Sequence, residues 1–129
     1  MITQMKIIEE HLNKARHYKD LFEIISTSDV TKDRYLDWEA TLLFYAALHY
    51  IDAWLVHFDV IPEWHSDRQH AIGSHKFFHR KHYRRLEDKS RDARYKLCSF
   101  LPNDIKELSG CLSFIQQEVE DFLKANKRT

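Results

Sequence analysis

At 129 residues with 43% hydrophobic side chains, the chain is long enough for one domain with its own core, without disulfide or metal staples. Twenty lysines and arginines balance twenty aspartates and glutamates, which excludes a protein coated in positive charge over its whole surface but not one with a local patch. No apolar run reaches bilayer length, and the opening MITQMKIIEEHLNK has early acids and no apolar signal core, so the expectation is a cytoplasmic protein without membrane contact.

Two glycines and two prolines are too few for the turns of a sheet protein, and nowhere do apolar and polar residues alternate. The fold class is therefore all-α. The first helix is expected from about Thr3 to Ile25, with Met5, Ile8, Leu12, Ala15, Phe22 and Ile25 on one stripe. STSDVTKD breaks that pattern and suits a loop and cap. The second helix is expected from about Lys32 to Phe58 and carries two apolar stripes. Leu36, Leu43, Ala47, Ile51, Trp54 and Phe58 form one; Leu42, Tyr45, His49, Ala53 and Val56 form the other. A helix apolar on two faces is either central or in contact with a second subunit as well as its own core.

WHSDRQHAIGSH follows Pro62 and predicts a short helix with Ser66 or Asp67 as N-cap, ended or loosened by Gly73. The next helix runs from near His79 or Lys81 to about Ser99, with Tyr83, Leu86, Ala93, Leu97 and Phe100 as its buried side. Asn103 is the expected N-cap of the last helix, whose register is the cleanest in the chain: Ile105, Leu108, Leu112, Ile115, Val119 and Phe122. Four principal helices with a short extra one, joined by short loops, make an up-and-down bundle of one domain. Cys98 and Cys111 lack metal-ligand spacing and fall on apolar stretches, as buried thiols do. A disulfide between them is the lesser alternative.

Charge is divided unevenly. From Trp64 to Lys96 there are ten basic residues, Arg80 among them, against four acidic ones, and five of the nine histidines lie in the same window. A neutral protein divided this way has a positive face, suited to RNA phosphate or to an acidic protein surface. The competing reading is a solvated helix face in which Arg84 pairs with Glu87 and Asp88. Arg68 and His75 are seven residues apart and share a face if the helix continues through Gly73. A guanidinium that stabilises a phosphorane-like charge beside an imidazole that moves protons is a metal-free arrangement for RNA cleavage. His49, with Tyr45 and Asp52 one turn away on either side, is read either as a satisfied core histidine or as lining a pocket that reaches His65 and Arg68. His75, His79 and His82 follow ligand-like spacing, but no carboxylate or cysteine joins them, so neither metal nor cofactor is expected. Gly-rich phosphate loops, nucleophile elbows and paired carboxylates are absent from the sequence.

The stretch from Trp38 to Ala53, with its Phe44-Tyr45-Ala46-x-x-His49 core, is followed by His65-x-x-Arg68 and later by Tyr83-x-x-Leu86 and Ser90-x-x-Ala93-Arg94-Tyr95. In order and spacing these three elements resemble the small helical domains of the HEPN-like family, over residues 36–97. The resemblance implies a bundle of four to five helices that pairs as a homodimer near the motif. It also implies RNA or nucleotide binding, in some members metal-independent ribonuclease activity of toxin–antitoxin type. Active members carry an arginine, four to six residues and a histidine, which here gives Arg68 and His75 as catalytic candidates, supported by His49, Tyr45, His65, Arg80 and Tyr95. They usually place Asn, Asp or His directly after the arginine, where this chain has Gln69. The alternative implied by other members is a non-enzymatic dimeric domain that partners a minimal nucleotidyltransferase or another protein.

Overall fold

A computed structural model describes residues 2–97 and 99–126, and every regular element among them is a helix. These are α1 (Ile2–Thr27), α2 (Leu36–Val56), α3 (His65–Ser74), α4 (Arg80–Tyr95) and α5 (Pro102–Ala125). Helix α2 packs against each of the other four, and α5 also closes on α4. Gln4, near the start of α1, donates to the Val56 carbonyl at the end of α2 (2.7 Å), which sets these two helices antiparallel. Lys19 Nζ reaches Gln116 Oε1 (2.7 Å) and ties α1 to α5.

The two stripes of α2 are explained by this central position. Between Glu39 and Val56 only Tyr45 and His49 escape full burial. Its small residues Ala40, Ala46, Ala47 and Ala53 are wholly buried and let neighbouring helices approach closely. The chain's own helices thus cover both apolar faces, and α2 needs no second subunit to hide them. The stripe of α1 is buried at Leu12, Ala15 and Phe22, whereas Met5 is exposed. The register of α5 is buried from Ile105 to Val119, with Phe122 packed at its edge.

Local signals moved several boundaries. Helix α3 begins at His65, one residue before the expected cap, and Gly73 does not interrupt it. The left-handed turn that ends it falls on Lys76 (φ 56°), where Phe77 N–H returns to the Ile72 carbonyl (3.0 Å). Helix α4 stops at Tyr95, so Leu97, expected inside, is fully exposed, while Ala93 and Phe100 pack against the core from its edge. Helix α5 is capped at Leu101, not Asn103: Pro102 takes the first helical position and Asp104 Oδ2 accepts the Leu101 N–H (2.8 Å). Cys111 is a buried free thiol whose pKa burial pushes up. Cys98 lies outside the described residues.

The start of α4 is fixed from α5. Glu118 accepts the backbone N–H groups of Phe78 (2.8 Å) and His79 (2.9 Å) and pairs with His79 Nδ1 (2.7 Å). One carboxylate thereby serves the N-cap donor and the N–H just before it, at a helix start that has no acid of its own in its first turn. Glu118→Ala is expected to cost about 1–2 kcal/mol, read as a lowered denaturant midpoint with an unchanged slope.

Candidate functional site

A chain of polar side chains crosses the bundle from α1 to α4. On α2, His49 and Asp52 are three residues apart and present to the same side. His49 Nδ1 lies 3.0 Å from Nδ1 of His11 on α1, a distance at which one ring donates and the other accepts. The Tyr18 ring stacks on His49, with centroids 5.7 Å apart and planes at 15°. Burial, then the neighbouring His11, holds the His49 pKa down at about 4; Lys14 and Arg68 act the same way and Asp52 opposes them. The ring is therefore neutral at ordinary pH.

Asp52 is 6% exposed and Arg68 7%, and they form a bidentate pair. Arg68 Nε donates to Oδ1 (2.7 Å) and Nη2 to Oδ2 (3.0 Å). Burial opposes the guanidinium charge, but Asp52 outweighs it and leaves the pKa of Arg68 above its ordinary value. Nη1 lies 3.2 Å from His65 Nδ1. Arginine only donates, so in this contact the His65 nitrogen is the acceptor. Glu87, buried on α4, is 3.5 Å from the same His65 nitrogen and accepts from Gln69 Nε2 (2.9 Å). The Tyr83 hydroxyl sits beside Arg68, buried and without a hydrogen-bond partner, and its burial drives its pKa upward. Three of the Arg68 nitrogens thus each have a partner, two on Asp52 and one on His65.

His75 is the C-cap of α3, seven residues beyond Arg68. Its ring stacks on Phe58 (4.3 Å, 21°) and meets the edge of Trp54 (6.2 Å). Arg68 reaches the polar chain and His75 an aromatic cluster, so the two do not meet within the chain. His79 and His82 stack on Phe114 instead, at 5.2 and 4.9 Å, which separates them from His75. Tyr45 packs against Tyr18 (5.7 Å), and the Arg94 guanidinium lies 5.9 Å from the Tyr45 ring and 5.5 Å from that of Tyr95.

The second feature is a cleft of about 300 Å³ between α3 and α4, lined by Gln69, Ile72, Gly73, Arg80, Lys81 and Arg84. A Cβ added at Gly73 would meet nothing within 4 Å, which is why a glycine inside a helix here costs packing nothing and leaves the mouth open. Among the described residues, Arg80, Lys81 and Arg84 have no ion pair or side-chain hydrogen bond. Arg84 does not pair with Glu87 or Asp88; Glu87 turns inward, and Arg91 lies 3.7 Å from each of those acids. Compared with known protein families and with curated proteins, the chain matches none.

Helical periodicity extends this basic feature. Arg80, Arg84, Arg91 and Arg94 fall within an arc of roughly 80° on α4, about 21 Å from first to last, and the buried Glu87 lies inside the same arc. Placing two cations in the first turn, against the positive end of the helix dipole, works against stability. An anion in the cleft would reverse that sign. Of the sequence candidates, the structure places His49 within 4.8 Å of Asp52 and His65 against Arg68, puts Tyr45 and Tyr95 around Arg94, and puts Arg80 in the cleft. It adds His11, Lys81, Arg84, Glu87 and Arg94. For Arg84 and Arg94 the spacing along α4 was available as a signal; for His11 and Glu87, whose partners lie on other helices, there was none.

Proposed function

We propose that this chain is a HEPN-like domain that binds RNA or a nucleotide through phosphate groups held at the basic edge of α4. The observation that carries the reading is the cleft ringed by three cations that no acid neutralises. Arginines are suited to this work because the planar guanidinium matches phosphate oxygens two at a time. The 21 Å stripe, roughly the reach of the helix from Arg80 to Arg94, spans several phosphates of a single strand. Exposed Tyr95 and half-buried Tyr45 beside Arg94 offer stacking faces for bases. Binding is favoured over cleavage, because Arg68 is engaged by Asp52 and His65 and His75 is packed on Phe58.

Fluorescence anisotropy with labelled single-stranded RNA, and competition by a nucleoside triphosphate, tests this reading. Arg80→Ala with Arg84→Ala is expected to weaken binding at least tenfold and to flatten the log K against log salt slope by about 1.4, as two lost phosphate contacts require. Gly73→Leu is expected to weaken it as well, since the side chain enters open space and fills the cleft. Unchanged affinity in both variants would overturn the assignment.

A further inference from the structure

The α1 end of the polar chain holds a group of donors that phosphate binding leaves unused. His11 on α1 and His49 and Asp52 on α2 each offer one ligand atom, and these atoms all lie within 4.8 Å of one another. No other such trio of histidine, cysteine or carboxylate converges among the described residues. We propose that His11, His49 and Asp52 form a site for one divalent transition-metal ion of the imidazole-preferring kind, such as Zn²⁺ or Co²⁺.

The histidine pair is close to what such an ion needs, and the Asp52 carboxylate lies within 4.8 Å of both rings. With metal–nitrogen bonds of about 2.0–2.1 Å at tetrahedral angles, neighbouring ligand atoms stand about 3.3 Å apart. The two Nδ1 atoms are 3.0 Å apart, within a few tenths of that spacing. The i,i+3 step from His49 to Asp52 brings the carboxylate to the same side, and α1 is held against α2 by Leu12 and Ala15, which bracket the turn after His11. The supporting groups are also present. Tyr18 stacks on His49 and restrains its ring, and Arg68 holds Asp52 by both oxygens.

Arg68 also decides which ions suit the site. Its charge cancels that of the one carboxylate, so Mg²⁺ and Ca²⁺, which rely on several anionic oxygens, are poorly served. Two neutral imidazoles suit the later first-row ions instead. Three protein ligands leave a coordination position open. The proposal is independent of the phosphate cleft and can fail without it.

The test uses untagged protein near neutral pH, titrated with Co²⁺ by visible absorption and with Zn²⁺ by calorimetry. Expected are one ion per chain, a loss of at least tenfold in affinity for His11→Ala and for His49→Ala, and no loss for His79→Ala. Millimolar Mg²⁺ is expected not to compete. His11 is only partly buried, so its variant keeps the fold if His49→Ala does not, and circular dichroism checks both. Absence of saturable one-to-one binding, wild-type affinity in His11→Ala, or an equal loss in His79→Ala would each overturn the site.

Discussion

Replacing Arg68 with alanine is expected to lower the stability of the folded chain by about 3–5 kcal/mol, because it leaves the Asp52 carboxylate buried without its counter-charge. Asp52 is 6% exposed and takes both of its close hydrogen bonds from this one guanidinium, at 2.7 and 3.0 Å. Water cannot replace a bidentate partner at that depth without opening the packing of α2 against α3. The same truncation removes the donor to His65 and leaves Tyr83 beside an empty volume. Removing both charges together is a different perturbation. Arg68→Met with Asp52→Leu keeps apolar volume and strands no charge, so it is expected to recover most of the loss. Urea unfolding of the two single variants and the double variant measures the coupling. A cost below about 1 kcal/mol for Arg68→Ala would mean that Asp52 finds water or another donor. The result bears directly on the cleavage reading, since lost activity in Arg68→Ala would then report lost folding and not a missing catalytic group.

Acidification is the second large effect. His49 is held near a pKa of about 4 in the folded chain, against an ordinary value of 6.5. Between those two values the unfolded chain binds a proton that the folded chain refuses, so stability rises with pH across the window. Above 6.5 both states are neutral at this residue and its contribution is fully present. As pH falls through the window, about 2–3 kcal/mol is expected to be lost. The cause is burial beside His11, with Lys14 and Arg68 adding their charge and Asp52 only partly offsetting them. Denaturant midpoints measured in EDTA across the window test this on metal-free protein. His49→Gln, which cannot titrate, is expected to show a flatter profile over the same range. A profile equally steep in that variant would place the acid sensitivity elsewhere.

The apolar spacing of α5 located its buried face, because a helix repeats every 3.6 residues whatever it packs against. The double stripe of α2 announced a helix covered on more than one side, but the cover comes from within the chain. Leu97 was expected inside because it continues the stripe of α4; the helix ends at Tyr95, and past that point the spacing carries no meaning. Gly73 suggested a break, yet a single glycine costs a helix only about 1 kcal/mol, which neighbouring residues absorb. The concentration of cations between Trp64 and Lys96 was visible from composition alone. Which of those cations lack partners was not.

What the sequence determined by itself is therefore local: the all-helical class, the inward faces of the helices, and the segregation of positive charge into one third of the chain. These follow from backbone periodicity and composition, which act over a few residues. The tertiary structure alone decided that Arg68 meets Asp52, that His75 meets Phe58, and that His11 faces His49. Such pairings depend on the rotation and axial register of separate helices. One residue of slippage turns a side chain by about 100°, enough to exchange a charged partner for an aromatic one.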